Sequence, residues 1–321
     1  MKNILVQVEA LKKYFPVKRG LLYKIAGWIK AVDQVNLEME KGKTLGLVGE
    51  SGCGKTTLAR TMLRLIEPDS GEIYFREQPI TRISPQALRN LRQDMQIVFQ
   101  DPFNSLDPRF TVSRTISEGL QVFQSLSKSK LADQVRELLA VVGLPDDAIN
   151  RYPHEFSGGQ RQRIGIARAI SLKPSFLVLD EPVSSLDVSV QAQIINLLYE
   201  LQERFALTYL FITHDLNIIR QVSDEVAVMY LGKIVEQAVN ADLFNRPQHP
   251  YTKILLEATP IAHPKERKPR AILKGEVTSA MHLPSGCRFR TRCPSAMDIC
   301  SRQEPALKEI APNHRAACHL L

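Results

Sequence analysis

The sequence runs to 321 residues, 44% hydrophobic and 24% charged, a balance that excludes a largely disordered chain or a fibre. Forty-two Lys and Arg against 34 Asp and Glu give a net charge of +8. Eleven of those basic residues and only five acidic ones lie between Ala262 and Leu321, so the rest of the chain is nearly neutral. Solvated basic surface accounts for that excess, and no nucleic-acid partner is expected. No apolar run approaches the roughly 20 residues of a membrane-spanning helix. The opening stretch Met1–Glu9 holds one Lys and alternates like a strand, unlike a signal peptide. A soluble cytosolic chain is the expectation, with any membrane spanning left to other polypeptides.

In chain order, strands are predicted over Ile4–Glu9, Thr44–Val48, Gln96–Gln100, Phe176–Asp180, Thr208–Thr213 and Glu225–Tyr230. Several are apolar on both faces, as in a sheet covered on both sides. Between them lie helical patterns. Leu131, Val135, Leu138, Leu139 and Val142 fall on one helical face, which Gly143 and Pro145 end; Val190, Ile194, Leu197, Leu198 and Leu201 repeat the spacing. The alternation predicts an α/β layer protein with a largely parallel sheet. Asp101–Phe156 has helical pattern without a convincing strand and reads as a helical insertion. After Gln248-His249-Pro250 the alternation stops, His263–Arg270 reads as a linker, and a small Cys-rich tail follows.

Gly49-Glu50-Ser51-Gly52-Cys53-Gly54-Lys55-Thr56 matches the phosphate-loop pattern G-x-x-x-x-G-K-[ST], after a predicted strand and before a helical run from Thr57. Glycines let the backbone wrap a polyphosphate so that N–H groups face the anion. Lys55 supplies a charge for the β and γ phosphates and Thr56 a hydroxyl for Mg²⁺. A plain glycine-rich turn leaves Lys-Thr at the helix start unexplained. Cys53 reads as a small spacer. Phe176–Asp180 is an apolar strand that ends in Asp180 and Glu181. Asp180 there suits the hydration shell of Mg²⁺, and Glu181 suits orienting and polarising an attacking water.

Ser157-Gly158-Gly159-Gln160, between that loop and the apolar run ending in Asp-Glu, resembles the signature of the ABC-transporter ATPases. Companion motifs stand in the same order: Gln100 is similar to the Q-loop glutamine that joins Thr56 and Asp180 around Mg²⁺, Ser185-Leu186-Asp187 to the D-loop, and His214 to the switch histidine. The resemblance implies a P-loop ATPase core over 1–100 and 157–247, with the insertion at 101–156 receiving permease helices. It also implies ATP clamped between two chains: the phosphate loop, Thr57 and Gln100 of one, and Ser157–Gln160 with Asp187 of the other. His214 would contact the γ-phosphate, and Tyr14 is the candidate for stacking on adenine, ahead of Phe15.

Phe99–Pro108, Asp180–Ser189 and His249-Pro250-Tyr251-Thr252 resemble the oligopeptide/dipeptide importer branch, and the wording of Ser157–Arg163 and Pro182-Val183-Ser184-Ser185 resembles its second, F-type ATPase subunit. That likeness implies two permeases, a related partner ATPase and an extracytoplasmic binding protein, with the chain peripheral on the cytoplasmic face of the inner membrane. Nickel and glutathione importers share much of this wording. A soluble ABC ATPase acting on ribosomes or DNA is less fitting, because the chain carries one cassette and no sustained heptads. A non-hydrolysing regulatory subunit is less fitting because Glu181, His214 and the signature are intact.

Cys287, Cys293, Cys300 and Cys318 are separated by five, six and seventeen residues. Disulfides are unusual in a reducing compartment, a zinc knuckle more often shows closer cysteine pairs, and the spacing is unlike common ferredoxin patterns. Resemblance of 248–321 to the C-terminal domain of the importer family implies a [4Fe–4S] cluster, with Arg288, Arg290, Arg292 and Arg315 offsetting its charge.

Overall fold

The computed structural model describes residues 3–20, 24–101, 105–258, 281 and 283–321. The expected linker His263–Arg270 lies outside the described residues, as do residues 102–104 of the Phe99–Pro108 motif.

The chain opens with β1 (Ile4–Arg19), β2 (Lys24–Glu40) and β3 (Thr44–Val48), then α1 (Lys55–Met62), β4 (Ser70–Phe75), β5 (Gln78–Pro79), α2 (Pro85–Leu91) and β6 (Met95–Val98). Helices α3 (Val112–Phe123) and α4 (Lys128–Val141) and two 3₁₀ turns lead to α5 (Gly158–Ile170), β7 (Phe176–Asp180), α6 (Val188–Phe205) and β8 (Thr208–Ile212). The remainder is α7 (Leu216–Val222), β9 (Glu225–Tyr230), β10 (Lys233–Val239), α8 (Asn240–Asn245), α9 (Pro250–Ala258), α10 (Ile299–Arg302), β11 (Lys308–Ala311) and β12 (His314–Ala316). Two compact units result: residues 1–5, 40–43 and 82–212, and residues 6–39, 44–81 and 213–321.

In the first unit β6, β7 and β8 pair in parallel, with Ile97 opposite Val178 and Val178 opposite Leu210. Every residue of β7 and β8 is buried, which is why both read as unbroken apolar runs. Val112, Ile116 and Leu120 form the buried stripe of α3, whose first turn is capped by the Thr111 hydroxyl. Val135 and Leu139 do the same for α4, capped by Ser127. Both helices pack on α5, and Arg163 of α5 donates to the Val142 carbonyl at the end of α4. Between Asp101 and Phe156 the described residues hold helices and turns and no strand.

The second unit corrects the expectation of a largely parallel sheet. There β3 and β9 are parallel, but β9, β10, β12 and β11 continue antiparallel, so the tail strands extend a sheet begun by the body of the chain. A separate sheet of order β2-β1-β4-β5 has its β1–β4 and β4–β5 pairs antiparallel. Val6 opposes Phe75 and Val8 opposes Ile73, all four buried, so one face of that sheet is apolar and the alternate residues stay wetter.

The buried carboxylate of Glu236 on β10 fixes the tail and the start of α9 together. It accepts from His314 Nε2 (2.8 Å) and from the backbone N–H groups of Gln248 (2.7 Å) and His249 (2.9 Å). His249 is itself buried, and its Nδ1 accepts from the Tyr251 N–H at 3.1 Å. Burial first, and Lys253 second, lower its pKa to about 4. Native His249 is therefore neutral where the unfolded chain, with a pKa near 6.5, already takes up a proton. Its stabilisation is complete above pH ~6.5 and is lost as pH falls towards 4. Urea unfolding is expected to show about 2 kcal/mol less stability at pH 5 than at pH 7 from this group. His249→Asn, which keeps an acceptor, is expected to flatten the slope; an unchanged slope would place the acid sensitivity elsewhere.

Candidate nucleotide site

In the second unit β3, buried throughout, delivers the chain into the loop Gly49–Thr56. A Cβ at Gly49 would lie 2.2 Å from the Met229 carbonyl oxygen, and one at Gly54, whose φ is +113°, would lie 2.0 Å from that of Ala31. No side chain fits at either place. Helix α1 starts at Lys55 with no side-chain cap, which leaves its N-terminal amides for an anion. Lys55 is 6% exposed, and its ammonium donates to the carbonyls of Gly49 (2.8 Å) and Glu50 (3.0 Å). Thr56 and Thr57 are half-buried beside it, while Ser51 and Gly52 are exposed. Burial raises the pKa of the Cys53 thiol, so Cys53 is a neutral filler of the loop and not a reactive thiolate.

Gln100 and Glu181, 81 positions apart, meet in the first unit: Gln100 Nε2 donates to Glu181 Oε2 at 2.8 Å. Glu181 follows the buried Asp180 at the end of β7 with φ +49°, left-handed for a non-glycine residue. Such a conformation costs on the order of 1–3 kcal/mol and gathers at functional sites. Its N–H is tied to the Ile212 carbonyl at 2.9 Å.

The signature forms the start of α5. Ser157 Oγ accepts from the Gln160 N–H at 3.4 Å, and Gln160 Oε1 accepts from the Ser157 N–H at 3.0 Å, a reciprocal capping box. Gly159 lies so close to Val190 that a Cβ would fall 2.4 Å from its Cγ1, which locks the signature to the start of α6. That helix is capped by Asp187, whose carboxylate accepts from Ser189 Oγ (2.7 Å) and the Val190 N–H (3.0 Å). Those bonds hold its pKa below the usual carboxylate range. Ser157, Gln160 and Asp187 are exposed, and Val188 beside them is 81% exposed.

His214 is exposed, in the segment between β8 and α7. Tyr14 is half-buried on β1 and its hydroxyl donates to Asp33 Oδ1 at 2.5 Å; the neighbouring Phe15 is more exposed. Burial acts to raise the pKa of Asp33, but the Tyr14 hydroxyl and the Arg288 guanidinium overcome it and keep the carboxylate ionised. Thus Tyr14, the phosphate loop and His214 belong to the second unit, and Gln100, Asp180, Glu181, the signature and Asp187 to the first.

The tail departs most from expectation. Cys287, Cys293, Cys300 and Cys318 are all free thiols. Burial first, then the thiols of Cys300, Cys293 and Cys318, push the Cys287 thiol up to about 11. Among the described residues, however, no group of three or more His, Cys, Asp or Glu is placed to hold a metal ion. The geometry by itself gives the iron–sulfur expectation no support. Two of the arginines expected to offset a cluster's charge are committed elsewhere. Arg288 pairs with Asp33 and lies 3.4 Å from Glu304, and Arg292 makes a two-pronged pair with Glu50 at 2.8 and 2.8 Å. Sequence reasoning missed Asp33, Arg288, Arg292 and the Tyr251 hydroxyl as neighbours of the motifs. They lie up to 255 positions from their partners, and no local pattern marks them.

An uncapped phosphate loop and a separately capped Ser-Gly-Gly-Gln helix define the class, that of ABC-type ATP-binding cassettes. The ABC transporter family matches residues 32–184, and the family of the C-terminal region of oligopeptide/dipeptide transporters matches residues 235–300. Among solved structures, CbiO1 from Clostridium perfringens, part of the cbiONQ ABC transporter complex, is 28% identical with a TM-score of 0.65. The match covers 76% of this chain and 92% of that one. The ATP-binding cassette MJ0796, solved as a dimer in a post-hydrolysis state bound to ADP and Pi, is 27% identical with a TM-score of 0.66, covering 74% and 99%. The oligopeptide transport ATP-binding protein AppF of Bacillus subtilis is 51% identical over 99% of this chain and 98% of its own. The dipeptide transport ATP-binding protein DppF of Escherichia coli is 46% identical over 96% and 92%. The chain belongs to the oligopeptide/dipeptide branch of the ABC-transporter ATP-binding proteins. Among the described residues no helix is long and apolar enough to cross a membrane.

Proposed function

We propose that this chain is an ATP-hydrolysing subunit of a peptide importer, coupling hydrolysis to uptake of oligopeptides or dipeptides through partner permeases. The observation that carries it is the intact hydrolytic pair: Glu181 on its left-handed turn, held by Gln100 at 2.8 Å, in a chain that also keeps a phosphate-loop lysine. A non-hydrolysing subunit has no use for that acid. Gly49–Thr57 wrap the triphosphate, Lys55 meets its β and γ groups, and Thr56, Gln100 and Asp180 serve Mg²⁺. Glu181 orients the attacking water, His214 contacts the γ-phosphate, and Tyr14 stacks on adenine.

Ser157, Gly158, Gly159, Gln160 and Asp187 serve the ATP of a facing subunit. The exposure of Ser157, Gln160 and Asp187 supports this reading, since an exposed helix N-terminus can meet an anion held by a second ATPase. ATP then acts as glue in the seam, and loss of the γ-phosphate releases it. Residues 1–100 and 157–247 make the ATPase core, 101–156 the helical arm that receives the permeases, and 248–321 the importer-type tail. The working complex has two permeases, a related second ATPase in a heterodimer, and an extracytoplasmic binding protein. The chain sits peripherally on the cytoplasmic face of the inner membrane.

For the tail thiols we also propose a [4Fe–4S] cluster on Cys287, Cys293, Cys300 and Cys318. Resemblance to the importer family's C-terminal region, matched over residues 235–300, supports it. Anaerobic isolation of the complex from membranes tests both readings. Permeases and a second ATPase are expected to co-purify, with iron and acid-labile sulfide present in the brown product and lost in Cys293→Ser. A chain recovered alone would sink the importer reading; a colourless complex would sink the cluster.

A further inference from the structure

Between Cys287 and Cys293 the tail spends three side chains on the nucleotide machinery. Arg292, only 4% exposed, sets Nη1 and Nη2 each 2.8 Å from the two carboxylate oxygens of Glu50, the second residue of the phosphate loop. Arg288 donates to Asp33, which accepts the Tyr14 hydroxyl, and to the carbonyl of Leu231. Phe289 is buried between them, its ring centroid 5.3 Å from Tyr230 and 5.4 Å from Tyr251. Tyr251 in turn accepts the backbone N–H of Glu50 through its hydroxyl at 2.9 Å. Glu50 is thus gripped by side chain and backbone, and its carbonyl is one of the acceptors of the Lys55 ammonium.

We propose that Arg292 and Arg288 are positioning residues for nucleotide. Arg292 fixes the phosphate loop through Glu50, and Arg288 fixes the adenine-stacking Tyr14 through Asp33. The proposal rests on the ATP-binding reading above and adds to it a tail that sets the affinity of the site. Neither arginine needs to touch ATP. A two-pronged guanidinium–carboxylate pair fixes direction as well as distance, and a loop whose amides must all face one polyphosphate loses affinity when a single anchor is released.

The two contacts act on different parts of the ligand, which separates positioning from general stability. Binding of ATP and of inorganic tripolyphosphate is measured on the full chain by calorimetry. Arg292→Gln is expected to weaken both ligands by about tenfold or more. Arg288→Gln is expected to weaken ATP but leave tripolyphosphate unchanged, because only ATP carries the base that Tyr14 would stack on. Glu50→Gln should reproduce Arg292→Gln, and the double variant should be no worse than either single one. That cycle also guards against a poorly folded single variant, because the double one leaves neither a carboxylate nor a guanidinium unpaired.

Wild-type affinity for both ligands in Arg292→Gln and Glu50→Gln would overturn the proposal, as would an equal loss of both ligands in Arg288→Gln. A wild-type chain that binds neither ligand, or a Lys55→Ala chain that binds both as tightly as wild type, would sink the ATP reading itself and the inference with it.

Discussion

Replacing Glu181 by Gln is expected to lower ATP turnover by about 10²–10⁴-fold while leaving ATP binding intact. The exchange removes a base and nothing else of consequence. Gln is isosteric, its amide oxygen still accepts from Gln100 Nε2, which now lies 2.8 Å from Glu181 Oε2, and the backbone turn at φ +49° is set by β7 and the Ile212 carbonyl, not by the side chain. The phosphate loop is untouched, so affinity is unaffected. If ATP closes two ATPase subunits and hydrolysis opens them, the variant accumulates as a closed dimer in ATP, and size-exclusion chromatography with and without nucleotide reads this directly. Turnover near the wild-type rate would remove Glu181 from its role. Lost turnover without an ATP-dependent dimer would keep the acid and remove the seam.

The motifs were legible because phosphate chemistry demands fixed spacings in one short stretch. Gly49–Thr56 needs backbone amides, a cation and a hydroxyl in sequence, and β3 ends at Val48 as the pattern requires. Strands buried on both faces were equally plain: β7 and β9 have the expected bounds, and β8 is one residue shorter. Half-wet strands were not. β2 buries Val32, Val35, Leu37 and Met39 but shifts face at Gln34, whose φ is +54°, so simple alternation breaks. β1 runs to Arg19, ten residues past the expected end, through a register shift between Glu9 and Lys12. β11 and β12 are short and owe their place to pairing with β10, as in Ala238 opposite His314. The partners of Glu50 and Asp33 were illegible for the same reason: an arginine near a cysteine reads as a counter-charge to whatever the cysteine binds. Only tertiary contact shows that Arg292 serves the phosphate loop instead.

Lys55→Ala is the second large effect, and its sign differs between the empty and the loaded protein. Lys55 is 6% exposed, and its ammonium is met by two carbonyl oxygens, those of Gly49 and Glu50, neither of which carries a full charge. A buried cation with only dipoles for company is costly, so its removal leaves the melting temperature of the empty chain unchanged or raised. With ATP bound, the same ammonium gains a polyphosphate, and a hydrogen bond between charged groups contributes about 1.5–3 kcal/mol. The variant is therefore expected to bind ATP about 10- to 100-fold more weakly, to hydrolyse none detectably, and to lose most of the rise in melting temperature that ATP gives the wild type. Isothermal titration and thermal melts with and without Mg-ATP separate the two halves. A variant destabilised without nucleotide but unchanged in affinity would make Lys55 a structural pin of its own loop, and the phosphate site would have to be sought elsewhere in the chain.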